Sequence, residues 1–243
     1  MAGEFKKKLE KELNNIGSLV DTPNLITSHV CGSIDEILNS GEIEKAAVES
    51  KLKKIVKTLH NIDEKKIREN YEIIYNQLCV LAVSALSATL KRLFKRQVEE
   101  NPEKIQAEKV EDLEKFDLKE LQDLGFDIRD DLPQLILERG NNINFQDLKS
   151  IKQTFKIYCG AELNIPKEVE KNVILYHQYR HTIVHNNAEI DNRFLGATGR
   201  FDYGHDFNLG DKIILNDQNW KVIQKNFIKL VDVIENCTST NSN

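Results

Sequence analysis

The segment of residues 78–94, LCVLAVSALSATLKRLF, constrains the fold of this chain more than any other. Between residues 79 and 90 it is apolar on nearly every face of a helix, and such a helix needs packing partners all around it. Asp63 is a suitable N-cap for this helix, which we expect to continue to about Glu100. The segment therefore predicts one long helix in the middle of a helical bundle.

The composition favours the same fold. The 243 residues are 40% hydrophobic and 30% charged, with only 11 Gly and 4 Pro. So few helix-breaking residues favour long helices over a sandwich or barrel of short strands. An all-α fold is therefore predicted, as one large domain or as one domain with a small appendage.

Turn residues and periodicity divide the rest of the chain into further elements. Helices are predicted at 4–16, 27–39, 42–60, 103–115, 117–124, 130–139, 145–158, 166–187 and from Asp217 onward. Gly17 and the pair Thr22–Pro23 are expected to separate the first two. Residues 188–210 have no periodic pattern and are expected to be a functional or mobile loop, before a short extended piece at 212–215. The end of the chain, from Thr238, is expected to be disordered.

The cysteines and the charge narrow the possible functions. Cys31, Cys79, Cys159 and Cys237 form no CxxC pair, which argues against a disulfide framework and a zinc knuckle. A net charge of -5 means that a nucleic acid would be met by a local basic surface. Two candidates for that surface are the cluster of Lys91, Arg92, Lys95 and Arg96 and the cluster of Lys6 to Lys8 with Lys11, although solvated helix faces have the same composition.

The expected localisation rests on two features that the sequence lacks, a signal peptide and a long apolar run. The N-terminal MAGEFKKKLEKEL lacks the apolar core and the cleavage site of a signal peptide. The longest apolar run, residues 78–88, is shorter than the roughly 20 residues that a membrane-spanning helix needs. We therefore expect a cytoplasmic protein with no membrane association.

Residues 176–187 contain the densest group of chemically capable side chains. His177, His181 and His185 are four residues apart, so that successive rings stack along one face of a helix. A zinc pair is one interpretation, but the Glu of an HExxH motif and a nearby Cys are missing. We expect no metal and no cofactor, and we interpret His177 as a half-buried residue hydrogen-bonded within the bundle.

Arg180 and His185 suit phosphoryl transfer on RNA. A guanidinium group fits a phosphate, and a histidine can take or give a proton near neutral pH. Five helical steps place the two residues about 140° apart around the axis and ~7.5 Å along it. They can share one phosphate only if the arginine reaches round, the helix end loosens or a second protomer completes the site. Spacing alone is equally compatible with an ordinary surface.

The stretch of residues 179–191, YRHTIVHNNAEID, resembles the motif of the HEPN superfamily. In that motif an Arg, a polar residue, a short apolar spacer and a His close a helix, often followed by Asn and Asp. Residues 78–94 and 143–160 are similar to the helices that accompany the motif, and the RiboL-PSP-like branch is the most similar. The resemblance covers about residues 63–236. It departs at Ser87, where many relatives have Glu after an Ala-Leu pair.

The resemblance implies a HEPN-like helical bundle at 63–236 with additional N-terminal helices at 1–62, and we expect a disordered tail at 237–243. It further implies a metal-independent endoribonuclease that cleaves RNA by transesterification, usually as a homodimer with the two motif helices facing each other. Such proteins act in toxin and antiviral defence systems, so an antitoxin or another defence-system protein is an expected partner. Other members of the superfamily only bind nucleotide or RNA, or serve as dimeric scaffolds.

The resemblance also implies roles for individual residues. Arg180 would hold the scissile phosphate, His185 would be the general base or acid, and His181 would orient or assist. The residues expected to bind the RNA are Tyr179, Asn186, Lys91, Arg92 and Lys95.

Overall fold

The computed structural model describes residues 3–39, 64–105, 131–140 and 143–240. Over these residues the chain is helical and contains no strand, which confirms the predicted all-α class. The α-helices are α1 (Glu4–Asn39), α2 (Glu64–Glu100), α3 (Leu132–Arg139), α4 (Leu148–Cys159), α5 (Lys167–His185), α6 (Asn192–Thr198) and α7 (Asp217–Thr240), and the one 3-10 helix is Pro102–Lys104. The predicted helices at 42–60 and 117–124, and most of the one at 103–115, lie outside the described residues.

Helix α2 is the centre of the bundle, as its apolar sequence predicts. It packs against α1, α3, α4, α5 and α7. Leu86, Leu90 and Phe94 are completely buried. The expectation that no segment is long and apolar enough to cross a membrane is wrong for α2, because Tyr71–Glu100 meets that criterion by length and composition. The central helix of a bundle has the same two properties, and 44% of the apolar window is buried within the protein.

Helix α1 is longer than predicted, since it continues through Gly17 and Pro23 to Asn39. The helix packs on α2 and α7. A Cβ atom at Gly17 would lie 2.8 Å from Nε1 of Trp220. Gly17 is therefore a point of close approach between two helices and not a helix end. The predicted turn at Thr22–Pro23 is also wrong, because sequence-local breaking signals are overridden where a helix gains tertiary contacts.

The start of α1 is fixed by a carboxylate from the last helix. Glu235 of α7 is buried and accepts hydrogen bonds from the backbone N–H groups of Phe5 at 3.0 Å and Lys6 at 3.1 Å. The first N–H groups of a helix have no partner within it, and a negative charge there is favourable. Leu9 and Leu13 belong to the same core as α2. The predicted boundary between an N-terminal extension and the main domain, at residues 62–63, falls among residues that are not described.

Helix α4 has the amphipathic pattern that the sequence predicts. Its side chain cap is Asp147, whose carboxylate accepts from the backbone N–H of Ser150 at 2.8 Å. It ends at Gly160, which has a left-handed φ of 60°. Phe155 and Tyr158 are buried and meet Phe94 of α2 edge to face, with ring centroids 6.2 and 5.8 Å apart. Aromatic packing therefore joins α4 to the central helix.

The predicted loop at 188–210 and the predicted disorder from Thr238 are both partly wrong. Residues 192–198 form α6, whose N-cap Asp191 accepts from the backbone N–H of Phe194 at 2.8 Å. The extended piece at 212–215 is reduced to one antiparallel bridge between Glu189 and Lys212. Helix α7 begins at Asp217 as predicted but extends to Thr240, and Thr238 is buried. Residues 241–243 lie outside the described chain.

Candidate active site at the end of helix α5

Helix α5 passes from the core of the protein to its surface. Its middle, from Val173 to His177, is buried. Val184, in its last turn, is 46% exposed, and His185 is exposed as well. The last turn of α5 therefore presents its side chains to solvent while the rest of the helix is held in the bundle.

His181 and His185 form a pair on this exposed end. Their ring centroids are 4.7 Å apart at an interplanar angle of 43°. Partial burial lowers the pKa of His181, and the charge of Arg193 and the neighbouring His185 lower that pKa further, against an opposing effect of Asp191. A lowered pKa keeps the His181 imidazole neutral near pH 7, which is the form that accepts a proton.

Arg180 lies where α5 passes from the buried core to the exposed end of the helix. Its side chain is half-buried. Its positive charge lowers the pKa of both His177 and His181, although burial is the larger cause at each ring. No described carboxylate forms an ion pair with Arg180. The guanidinium charge is therefore available to an anion from solution.

The turn that follows α5 has an unusual backbone. Asn187 and Ala188 have positive φ angles of 49° and 61°, a conformation that costs energy in residues other than Gly. Asn186 caps the helix by donating its backbone N–H to the carbonyl of Thr182 at 2.9 Å. The Asn186 side-chain amide donates to the carbonyl of Glu189. Asn186, predicted to bind RNA, thus uses its amide N–H in building the turn beside His185.

One basic residue that the sequence analysis missed affects the histidine pair. Arg193, in the first turn of α6, is exposed, and its charge lowers the pKa of His181. The capping of α6 by Asp191 places Arg193 at this position. The available signal was Asp191 followed by a short amphipathic stretch, which has the form of a helix start. Arg180 and Arg193 thus lower the pKa of His181 from two different helices.

The basic cluster on α2 lies elsewhere. Helices α2 and α5 are in contact at Cys79, whose Sγ is 3.7 Å from the carbonyl oxygen of Tyr176. Lys91 is twelve residues further along α2, or about 18 Å along the axis. Lys95 donates to Oε1 of Gln134 at 2.8 Å. The end of α5 lies in the other direction, towards the N-terminus of α2. There the Asn76 side chain donates to the carbonyl of Ile213 at 2.9 Å. The backbone N–H of Ile213 in turn donates to the carbonyl of Ala188, just after α5, at 2.8 Å.

These contacts separate Lys91, Arg92 and Lys95 from the histidine pair. Lys91 and Arg92 are exposed on α2. The structure does not bring the three cations together with Arg180, His181 and His185.

Tyr179, also predicted to bind RNA, points into the protein. It is 7% exposed, and its ring stacks on that of Phe194 with centroids 5.6 Å apart and an interplanar angle of 17°. Phe207 contacts both rings, at 6.3 and 5.0 Å. Burial raises the pKa of the Tyr179 hydroxyl above its usual range. The ring holds α6 and the following loop against α5.

His177 is a core residue, as its interpretation from the sequence expects. Its Nδ1 atom is 2.5 Å from the carbonyl oxygen of Gln146. Because a carbonyl can only accept, Nδ1 carries the proton. Burial lowers the pKa of His177 to about 4, so that the ring is neutral near pH 7. The Nε2 atom is then an acceptor, and it has no hydrogen-bond partner.

Within the described ranges, no group of three or more His, Cys, Asp or Glu side chains is arranged to bind a metal ion. The two carboxylates that follow the histidine pair in sequence both have partners, since Glu189 pairs with Lys212 at 3.0 Å and Asp191 caps α6. The side chains at the exposed end of α5 are therefore imidazoles, guanidinium groups and amides, which suit proton transfer and phosphate binding.

Comparisons with known proteins leave the family open. No family model matches the chain, and no curated protein or solved structure is significantly similar to it. The resemblance of residues 179–191 to the HEPN motif therefore stays a prediction from the sequence.

Proposed function

We propose that this protein is a metal-independent endoribonuclease that cleaves RNA by transesterification. The observation that carries the proposal is the ring pair of His181 and His185, 4.7 Å apart at an exposed helix end, with the half-buried Arg180 in the same helix, one residue before His181. Two imidazoles and a guanidinium group are the functional groups that this reaction needs: one proton acceptor, one proton donor and one stabiliser of phosphate charge.

The two histidines divide the proton transfers. Neutral His181 takes the proton of the ribose 2′-hydroxyl, and the 2′-oxygen attacks the phosphorus. Arg180 stabilises the charge that develops on the phosphorane oxygens. The bond from phosphorus to the 5′-oxygen then breaks, and His185 gives a proton to that oxygen. The products end in a 2′,3′-cyclic phosphate and a 5′-hydroxyl, so no water is consumed in the bond change.

A homodimer belongs to this proposal. Arg180 and His185 point about 140° apart around the axis of one helix, and a two-fold axis near the end of α5 would let two copies form a composite site. The exposed apolar side chains Val184, Ile73 and Ile214 support an interface in this region. Light scattering should report two chains. A strict monomer at micromolar concentration would contradict the composite site.

The experiment that tests the proposal is cleavage of mixed RNA substrates in excess chelator, followed by analysis of the product ends. Cyclic phosphate and 5′-hydroxyl ends are expected, and DNA should be spared because it lacks the nucleophile. His205→Ala, at an exposed histidine outside the site, is the matched control for the site variants. Products with a 3′-hydroxyl, or activity restored only by a divalent ion, would contradict the proposed chemistry.

A second candidate function is a non-catalytic module that binds RNA or nucleotide. It is favoured by Arg180, which is half-buried, forms no ion pair with a described carboxylate and can bind a phosphate without any proton transfer. RNA binding without cleavage by wild-type protein would support it. A dimer that does neither would indicate a scaffold.

As an endoribonuclease of a defence or toxin system, the protein would be expected to have a neutralising or defence-system partner.

A further inference from the structure

The fold joins two basic clusters that are far apart in the sequence. One lies in the first turns of α1 and the other in the last turns of α2. Nη1 of Arg96, near the end of α2, is 3.1 Å from Oε2 of Glu4 at the start of α1. The guanidinium carbon of Arg96 and Nζ of Lys8 lie 5.6 and 5.7 Å from the centre of the same ring, that of Phe5. The two clusters therefore meet around one aromatic side chain.

The directions of the two helices bring further members of the clusters close together. Asp21 of α1 and Tyr75 of α2 line one cleft at the other end of the helix pair from Arg96. Helices α1 and α2 therefore run antiparallel. Because a helix advances about 6 Å in four residues, Arg92, one turn before Arg96, lies close to the level of Lys8.

Burial of the inner faces leaves cations of both clusters on the outside. Leu9 is completely buried and fixes the inward face of α1. Lys7 and Lys11 lie on the opposite face of α1, one turn apart, and both are exposed. Lys91 and Arg92 are exposed on α2. These four residues are called the basic surface below.

The basic surface has positive charge that the protein itself does not neutralise. None of its four cations forms an ion pair with a described carboxylate. The carboxylates of Glu4 and Glu100 are already paired with Arg96, at 3.1 and 2.8 Å. Residues 4–12 and 91–100 contain eight Lys or Arg and five Glu, a net charge of +3 in a chain whose net charge is -5. A local positive field therefore exists on an acidic protein.

This charge pattern fits the sugar–phosphate backbone of a single-stranded nucleic acid. A strand with stacked bases carries one negative charge per roughly 3.4 Å, and exposed Lys and Arg side chains can contact it without an enclosed pocket. Docking on a membrane surface by a helix also needs exposed apolar side chains. The exposed large apolar side chains of the described chain, such as Leu19 and Leu81, all lie outside residues 4–12 and 91–100. The pattern therefore favours a nucleic acid over a membrane.

The basic surface is far from the histidine pair. The backbone just after α5 is linked through Ile213 to Asn76 of α2. Lys91 is fifteen residues further along α2, which corresponds to about 22 Å along the axis. A stacked strand spans that distance with about seven nucleotides. Contacts at the basic surface would therefore involve nucleotides other than those at the histidine pair.

We propose that the basic surface is a second RNA contact, which binds the backbone of the substrate at a distance from the histidine pair and independently of base sequence. The proposal rests on the proposed function for the identity of the polyanion. Lys7 and Lys11 contact phosphates from α1, and Lys91 and Arg92 contact them from α2. Release of counter-ions from the strand supplies the affinity, so that binding weakens steeply as salt is added.

Binding of an RNA that cannot be cleaved tests the basic surface by itself. A fluorescent 2′-O-methyl RNA of about 30 nucleotides keeps the phosphates and lacks the 2′-hydroxyl nucleophile. Lys91→Ala/Arg92→Ala should weaken its binding at least about tenfold at roughly 0.1 M salt. The slope of log affinity against log salt should become shallower by about 1.4, or about 0.7 for each lost phosphate contact. Lys7→Ala/Lys11→Ala should have a similar effect.

A matched control removes two exposed lysines from elsewhere on the protein. Lys167→Ala/Lys225→Ala makes the same change in net charge and should leave the affinity and its salt dependence nearly unchanged. A thermal melt of each variant verifies folding. Equal losses in the control and in both tested pairs would overturn the proposal, because they would report net charge alone. Unchanged binding in Lys91→Ala/Arg92→Ala would overturn it as well, and so would binding of phosphatidylserine vesicles without any binding of the RNA.

The two proposals fail in different ways. If variants of the basic surface bind RNA as the wild type does, while cleavage depends on His181 and His185, the second contact is wrong and the endoribonuclease proposal stands. If RNA binding depends on the basic surface and no RNA is cleaved, the second contact is supported and the protein is a binding module.

Discussion

The middle and the end of α5 carry the same residue type at the same spacing and put it to different uses. His177 is buried, neutral and bonded to the carbonyl of Gln146. One and two turns later, His181 and His185 face each other at the surface with their rings 4.7 Å apart. Spacing in the sequence gives all three histidines one helix face, but the depth of each residue in the bundle decides which of them can exchange protons with a substrate.

This difference has a general physical cause. Burial disfavours the charged form of an imidazole, and the effect is large where no water reaches the ring. At His177 burial lowers the pKa to about 4. At His181 burial is partial, and the nearby Arg193 adds to it. The buried part of α5 thus supports the fold, and the exposed part is available for chemistry.

The largest expected effect concerns the aromatic cluster that holds α6 against α5. Phe194 is completely buried and stacks on Tyr179. Phe194→Ala should lower the free energy of unfolding by about 3–5 kcal/mol, the usual range for truncating a buried Phe. Val184→Ala, at the exposed end of α5, should change it by less than about 0.5 kcal/mol. Urea denaturation of both variants measures the contrast, and similar losses would contradict it.

The next effect is the pH dependence of stability caused by His177. Its pKa is 6.5 when unperturbed and about 4 in the folded protein, so the unfolded chain binds the proton more tightly. The folded state is therefore favoured above pH 6.5 and loses stability as the pH falls towards 4. The loss from this residue approaches about 3 kcal/mol.

His177→Gln isolates that contribution. The variant should be less stable than wild type at pH 7, and its stability should fall less steeply between pH 6.5 and pH 4.5. Denaturant midpoints at the two pH values give the comparison, with the exposed His205→Gln as the control. An equal slope in wild type and His177→Gln would show that the ring is not buried in its neutral form.

A smaller effect is expected at Ala188, in the turn after α5. Its φ of 61° is costly for alanine and free for glycine. Ala188→Gly should raise the free energy of unfolding by up to about 1 kcal/mol, whereas Ala88→Gly, within α2, should lower it by about 1 kcal/mol. Thermal unfolding distinguishes the two signs. A destabilised Ala188→Gly variant would contradict the left-handed turn.

The smallest expected effect is a shift in the pH profile of cleavage. Removing the charge of Arg193 should raise the pKa of His181, because a nearby cation disfavours the protonated ring. If neutral His181 is the base, the acidic limb of the rate profile moves to higher pH in Arg193→Ala. Arg193→Lys keeps the charge and should keep the wild-type profile. An unchanged limb in Arg193→Ala would assign the base to another group.

The segments of the sequence with a clear helical periodicity predict the long helices of the fold. Helices α2 and α4 were predicted because their apolar residues recur at helical spacing over many turns. The predicted helix end at Gly17 is wrong because the role of this glycine depends on Trp220, which is distant in sequence and packs against it. Helix α6 was missed because it has only seven residues and is stabilised by stacking of Phe194 on Tyr179. Contacts of this kind are not encoded in local spacing.

The candidate site likewise has one part that the sequence predicts and another part that depends on tertiary packing. The spacing of His181 and His185 predicted two neighbouring rings on a helix. The approach of Arg193, the burial of Tyr179 and the distance of Lys91 from the pair depend on how α2 and α6 pack, which a single sequence does not contain. Residue types that suit RNA were therefore easier to identify than the positions from which they act.

The most direct test of the account compares the histidines of α5 in one experiment, by measuring both RNA cleavage in chelator and unfolding in urea. Arg180→Ala, His181→Ala and His185→Ala should each lose at least about 100-fold in single-turnover rate with nearly wild-type stability. His177→Ala should show the reverse, a large loss of stability and a smaller loss of rate in the fraction that stays folded. Cleavage that survives in His181→Ala and His185→Ala would contradict the assignment of the chemistry to the exposed end of α5.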